Sequence, residues 1–182
     1  MKGSAWIWLA VFTALAWSAQ ETLNKVATAP KMLGLSYEVA SIFLGVGALL
    51  VVVVNLIFFR LSYLPIWLKI VWISIVILAM IVGIITMFMV DGKVNWLGVL
   101  VASLSGILLI GGQILILHAF NIGANVSQVA PITNTYMVIA VIIGMIFLKE
   151  RPQDIGQFLK VGGAVVAAVI SGILASNAFS PK

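Results

Sequence analysis

Six long apolar runs set the fold class of this chain of 182 residues. About 20 apolar residues in helical conformation cross the roughly 30 Å of bilayer hydrocarbon, because each residue adds about 1.5 Å. Turn or charged residues separate the runs. The runs cover residues 5–26, 37–59, 65–90, 96–121, 126–148 and 156–176. The sequence therefore predicts an all-α, polytopic membrane helix bundle of about six transmembrane helices, in a single domain over 1–182.

Composition supports this class and excludes several others. The chain is 63% hydrophobic and 8% charged, whereas a soluble domain has about 25% charged residues. The runs are continuous, which favours helices over the alternating strands of a membrane barrel. One His, five acidic residues and no Cys leave little material for a metal site, so we expect no metal and no cofactor. The basic residues are scattered singly, which indicates no nucleic-acid partner.

The first run has a second interpretation. Lys2, a short apolar core and the small residues at 14–16 also fit a signal peptide. Against this, the run carries Trp6, Trp8 and Trp17 and continues beyond the cleavage position, and interfacial Trp residues suit a retained helix. We therefore expect 5–26 to remain as a span.

The basic residues give a weak prediction of orientation. With six spans, both termini lie on one side, which then holds four basic residues, and the other side holds six. The two sets are Lys2, Arg60, Lys69 and Lys182 against Lys25, Lys31, Lys93, Lys149, Arg151 and Lys160. This small bias mildly favours cytoplasmic loops on the second side and allows insertion both ways round.

Polar residues gather in "HAFNIGANVSQVAPITNTY", residues 118–136, between two apolar runs. Pro131 removes one backbone donor and can kink the fifth span, and helical spacing places Gln128, Pro131 and Thr135 on one face. The cluster fits a water-accessible cavity lined by spans four and five, or interhelical hydrogen bonds worth about 0.6 kcal/mol each; the residues alone leave both open. The candidate pathway residues here are Gln113, His118, Gln128, Pro131, Asn134 and Thr135.

Ionisable residues supply the remaining candidates. His118 is a possible proton carrier, because histidine titrates in the physiological range, or an interfacial residue near the end of its span. Glu21 and Lys25, in "AWSAQETLNKV", have the favourable i, i+4 order for an ion pair. Because ionisable residues inside a membrane are costly, the pair fits a substrate or coupling-ion role; near the interface it fits structural pairing equally well.

The order of these elements resembles the drug/metabolite transporter superfamily, in its EamA-like branch. The matching segments are "HAFNIGANVSQVAPI", "FLKERP" and "IGQFLKVGGAVV", with a weaker match in "AWSAQETLNKVA". The resemblance covers the last three spans well. It implies a bundle that moves small polar or amphipathic metabolites or drug-like solutes by alternating access, with the site near the midplane between repeats. It also implies a multi-pass protein of the prokaryotic plasma or inner membrane, and no enzyme.

Two features depart from the family pattern. Full transporters carry two inverted five-helix repeats, whereas this chain has one copy and an extra span, 65–90. In the small multidrug branch an acidic residue lies within the first helix; here Trp17 takes that place and Glu21 lies one turn away. The resemblance thus implies a half-size transporter, acting as a homodimer or beside a second half-size subunit.

Other classes remain as alternatives. A non-transporting membrane subunit or assembly factor would use the same polar residues to join its helices. A channel lined by Asn, Thr and Gln would look similar. A membrane enzyme is disfavoured, because the sequence has no paired interfacial carboxylates, no "HExxH" site and no phosphate-cradling loop.

Overall fold

The computed structural model describes residues 5–55, 66–91, 95–150 and 152–178. This part of the chain is all-helical, with 86% of residues in helices and no strand, which confirms the predicted all-α class. The helices are α1 (Ala5–Thr28), α2 (Tyr37–Val54), α3 (Ile66–Val90), α4 (Trp96–Asn121), α5 (Val126–Thr133), α6 (Tyr136–Phe147) and α7 (Ile155–Ala178). Parts of the second and third predicted spans, 56–59 and 65, lie outside the described residues.

Among the described residues, four segments are long and apolar enough to cross a membrane. They are α2, α3, α4 and the stretch Val126–Phe147, which holds α5 and α6. In α7 the apolar part is shorter, Ile155–Ser171. α1 has the length, but polar residues occupy its last two turns, from Gln20 to Lys25. The chain is thus a helical membrane protein, and the count of six spans stays a prediction.

Side chains preceding the helices define where several of them begin. Ser36 accepts the Val39 N–H before α2 at 3.4 Å, and Asn95 Oδ1 accepts the Gly98 N–H before α4 at 3.0 Å. Asp154 Oδ1 accepts the Gln157 N–H before α7 at 2.7 Å. Each side chain satisfies one of the N–H groups that the first helical turn leaves without a carbonyl.

The chain divides into two compact units, Met1–Ala19 with Gly112–Lys182, and Gln20–Gly111. We call them the outer-sequence unit and the middle-sequence unit. The boundaries lie inside α1 and inside α4. The prediction of a single domain stays a prediction.

The core of the middle-sequence unit is made of small and medium apolar side chains around Phe43 and Met87, which are 1% and 0% exposed. Two glycines permit close backbone approach between α2 and α4. A Cβ at Gly47 would overlap the Ser103 carbonyl, and a Cβ at Gly106 would overlap the Leu44 carbonyl. Only glycine fits at these contacts, as expected where membrane helices pack closely.

Side chains at the two ends of the α3–α4 connection form hydrogen bonds to the backbone of the α1–α2 connection. Asn95 Nδ2 donates to the Leu33 carbonyl at 2.7 Å. The Asp91 carboxylate accepts the Ser36 N–H, with distances of 3.3 and 3.4 Å to its two oxygens. The α1–α2 connection is therefore tied to the residues on both sides of the α3–α4 connection.

The outer-sequence unit has a smaller core. Its buried apolar members are Ala10, Ile116, Ala119, Ala124 and Val129. In contrast, many large apolar side chains of α7 are exposed, such as Ile155 at 80% and Leu159 at 66%. An apolar outer surface is what a bilayer accepts and water does not.

Candidate functional site

The segment Val126–Phe147 is interrupted where the sequence concentrates polar residues. α5 ends at Thr133, two residues after Pro131, and α6 begins at Tyr136. At the interruption the Thr135 N–H donates to the Ile132 carbonyl three residues back, at 3.2 Å, as in a 3₁₀ turn. Pro131 has no N–H to donate to the Ser127 carbonyl four residues before it, so α5 lacks one α-helical bond just ahead of this turn. The fifth predicted span is therefore a helix interrupted by one turn, at Asn134 and Thr135, where the backbone angles stay right-handed (φ −65°, ψ −13° and φ −65°, ψ −11°).

Two threonines supply hydroxyl donors at the interruption. Thr133 Oγ1 donates to the Ala130 carbonyl at 3.1 Å, and Thr135 Oγ1 donates to the Ile132 carbonyl at 2.6 Å. Local hydroxyl donors of this kind stabilise membrane helices whose regular bonding is interrupted. Both threonines thus serve the local backbone of α5.

The interruption lies near the middle of the span. α5 contributes 8 residues before it and α6 contributes 12 after it. At about 1.5 Å per residue these lengths are roughly 12 and 18 Å, within about 30 Å of hydrocarbon. Backbone that departs from the helix at such a depth has to face protein or a water-filled space.

One face of α1 holds the start of α6. Ser18 is fully buried, and its Oγ lies 2.8 Å from the Tyr136 carbonyl and 2.6 Å from the Ala14 carbonyl. The Trp17 ring meets the Tyr136 ring edge to face, with centroids 5.7 Å apart at 84°. This contact fixes the backbone immediately after the interruption.

The same face of α1 also contacts α4. Thr13 Oγ1 lies 3.1 Å from the Gly112 carbonyl, and a Cβ at Gly112 would lie 2.7 Å from Trp17 Nε1. Gly112 therefore makes room for the indole. Thr13 and Ser18 were not selected from the sequence. A signal for both was present, because a hydroxyl inside an apolar membrane helix needs a hydrogen-bond partner there.

The residues predicted to line a pathway occur in different surroundings. Gln113 and Asn134 are exposed, and Pro131 and Thr135 are half-buried. Gln128 Oε1 accepts the Asn125 N–H at 3.1 Å, so this side chain caps the start of α5. Its spacing from Asn125 is that of a capping box, a signal present in the sequence. The structure brings Pro131, Asn134 and Thr135 together at the interruption.

His118 borders a cavity of about 750 Å³. Its other lining residues are Ala5, Trp8, Leu9, Phe12, Asn121, Ile122 and Gly123. The wall opposite α4 thus comes from the beginning of α1, whereas the sequence predicted a cavity between spans four and five. His118 and Asn121 are exposed, and their side chains have no hydrogen-bond partner among the described residues.

In the middle-sequence unit, Glu21 and Lys25 are exposed on α1. The inward side of this stretch carries amides: Gln20 is 6% exposed, and Asn24 Oδ1 accepts the Ser105 O–H at 2.6 Å. Ser105 is fully buried. Asn24 and Ser105, which the sequence did not single out, thus join α1 to α4 on the inward side of this stretch, and the role of Glu21 and Lys25 stays a prediction.

Within the ranges that the structure describes, no group of three His, Asp or Glu side chains could hold a metal ion. Comparison of the chain with protein-family models, with curated proteins and with solved structures finds no match. The function is therefore inferred from the geometry of the site and from the sequence.

Proposed function

We propose that the chain is a half-size membrane transporter that moves small metabolites or drug-like solutes by alternating access. The observation that carries the proposal is the interruption between α5 and α6 near mid-span. In many secondary transporters the solute site lies near the bilayer midplane and is formed by discontinuous helices, whose broken backbone lines a cavity. The resemblance of the last three predicted spans to EamA-like transporters supports the same function and a prokaryotic inner-membrane location.

Exposure of Asn134 supports a pathway at this position. The residue is exposed at the interruption, and its side chain has no hydrogen-bond partner among the described residues. An amide facing lipid at mid-span would lose its hydrogen bonds to water without replacement. A water-filled solute pathway or a second subunit would supply hydrogen bonds to this amide. The proposed half-size transporter has both.

Gln113 on α4 supports a pathway for the same reason as Asn134. It is exposed, and 8 residues separate it from the end of the helix at Asn121, which is about 12 Å of helix. Its amide also lacks a partner among the described residues. Exposed amides on two spans favour action as a homodimer or beside a second half-size subunit, which would complete the pathway.

A non-transporting membrane subunit or assembly factor is the second candidate. It is favoured by the buried hydroxyls of Thr13, Ser18 and Ser105, each within hydrogen-bond distance of another helix. In that function the polar residues only join helices, and Asn134 and Gln113 would contact a partner chain permanently.

Solute exchange in liposomes that contain only this chain separates the two candidates. A panel of labelled small solutes is screened for saturable counterflow, and the best solute is kept. We expect Asn134→Ala and Gln113→Ala each to lower its initial rate about tenfold, the effect of losing roughly 1.4 kcal/mol of solute interaction. The control Ile142→Ala removes an exposed apolar side chain of α6 and should retain the rate.

Equal membrane insertion of all variants shows that any loss is functional. Absence of saturable counterflow for the whole panel, or unchanged rates in both amide variants, would contradict the proposed pathway and favour the non-transporting subunit.

A further inference from the structure

We propose that the cavity beside His118 binds an uncharged amphipathic small molecule, such as an aromatic or alkyl alcohol or amide. The molecule would place its hydrogen-bonding group at His118 and Asn121 and its apolar part along Trp8 and Phe12. This binding site is separate from the interruption between α5 and α6, and binding there does not depend on the proposed transport.

The lining of the cavity has one apolar side and one polar end. Trp8, Leu9 and Phe12 come from one face of α1, and His118 and Asn121 come from the last turn of α4. The Trp8 and Phe12 rings are neighbours, with centroids 6.5 Å apart at 37°. They are 63% and 54% exposed, so their faces remain open to a ligand. A volume of about 750 Å³ is in the range of small-molecule sites.

The position of the cavity suits an amphiphile. The cavity extends from Ala5 on α1 and from Asn121, the residue where the spanning segment α4 ends. Helix ends of spanning segments lie near the membrane–water interface, where Trp is enriched. Phe12 lies seven residues into α1, about 10 Å farther along the helix. A molecule lying in this cavity has its polar group near the interface and its apolar part in the hydrocarbon.

The described lining residues include no Asp, Glu, Lys or Arg, so a charged ligand finds no full counter-charge among them. The C-terminal end of α4 carries only a partial negative charge, which disfavours an anion and stabilises a cation weakly. The carbonyls of His118 and Phe120 already accept N–H groups of Ile122 and Gly123. The imidazole and the Asn121 amide remain, and each can donate and accept, which fits an uncharged hydroxyl or amide.

Fluorescence quenching by 2-(4-bromophenyl)ethanol tests this site in lipid nanodiscs, because bromine quenches tryptophan at contact. The fluorescence of Trp8 is obtained by subtracting the fluorescence of the Trp8→Phe variant from that of the unsubstituted protein. The fluorescence of Trp96 is obtained in the same way with Trp96→Phe. Trp96 is a matched control, since it is 62% exposed against 63% for Trp8. We expect the quenching of Trp8 to saturate as the quencher concentration increases. The quenching of Trp96 should instead increase linearly with concentration, because it comes from quencher dissolved in lipid.

Substitution of the polar end tests where the ligand binds. His118→Leu and Asn121→Leu should each raise the half-saturating concentration at least about fivefold, the effect of losing one hydrogen bond of roughly 1 kcal/mol. Ser41→Leu, an exposed polar-to-apolar change on α2, should leave it unchanged. The charged analogues 4-bromophenylacetate and 4-bromophenethylammonium should bind more weakly than the alcohol.

Several results would overturn the proposal: linear quenching of Trp8, an unaltered curve in both polar-end variants, or tighter binding of either charged analogue. The outcome is independent of transport. Saturable quenching without solute counterflow would leave this site standing and remove the transporter; counterflow without saturable quenching would do the reverse.

Discussion

At the scale of single residues, two glycines of the same helix have different roles. Gly45 and Gly47 lie two positions apart on α2. A Cβ at Gly47 would overlap the Ser103 carbonyl, whereas a Cβ at Gly45 would meet nothing within 4 Å. The backbone carbonyl cannot move aside as a flexible side chain can, so the two positions should respond differently to one added methyl group.

We expect Gly47→Ala to lower the free energy of unfolding by about 1–3 kcal/mol, the usual cost of overpacking. Gly45→Ala should instead raise it by about 0.5–1 kcal/mol, because the added Cβ meets nothing and alanine is more favourable than glycine in a helix interior. Thermal unfolding in detergent followed by circular dichroism compares the two variants. Equal stability of both would show that α2 and α4 do not approach as closely as described.

Sequence reasoning reaches some of these residue roles and misses others. Small residues at spaced positions predict close helix packing, but only the packed structure shows that Gly47 is at the contact and Gly45 is not. The capping role of Gln128 was available from its spacing to Asn125, whereas its position on one face with Pro131 and Thr135 suggested a pathway residue. Asn24 could not be preferred over Glu21, because the side of α1 that is buried depends on its neighbours.

At the scale of the element, the interruption between α5 and α6 is the feature with functional weight. The sequence located Pro131 and predicted a kink. The structure continues α5 beyond the proline to Thr133, because a proline removes only the bond to the carbonyl four residues before it and the Asn134 N–H still donates to the Ala130 carbonyl at 2.9 Å. The sequence thus predicts the kink but not its exact extent, which depends on these bonds and on the Ser18 contact with Tyr136.

Pro131→Ala restores an N–H that can donate to the carbonyl four residues back, which favours a continuous helix through 126–147. We expect slower hydrogen exchange of the amides of residues 132–135 and a several-fold loss of solute counterflow, with stability retained or raised. Pro30→Ala, in the exposed connection after α1, is the control and should alter neither. Unchanged exchange at 132–135 would show that the proline does not cause the interruption.

At the scale of the whole molecule, the distribution of polarity is that of a membrane protein. Hydroxyl residues such as Thr13, Ser18 and Ser105 are fully buried, while large apolar side chains cover the exterior of α3 and α7. Four of the long apolar runs could be predicted as spanning helices, because bilayer thickness sets the length of a spanning helix. Inward-facing residues could not, because helices that are apolar on all sides have no periodic signal to orient them.

Alternating access is a property of the whole molecule, and cysteine labelling tests it without a known solute. The chain has no Cys, so Asn134→Cys places a single thiol at the interruption. Ile142→Cys, on the 43% exposed side chain of α6, is the control expected to face lipid. Liposomes are treated with a membrane-impermeant maleimide either outside only or enclosed inside only, and labelling is followed to its plateau.

The account predicts that each reagent alone labels every copy of Asn134→Cys and almost no Ile142→Cys, because the pathway opens to both sides in turn. Complete labelling is required, since a static protein inserted both ways round would be labelled in only part of its copies from each side. Three results would contradict alternating access at the α5–α6 interruption. They are partial labelling by each reagent that adds up to all copies over the two, labelling from one side only, and no labelling of Asn134→Cys.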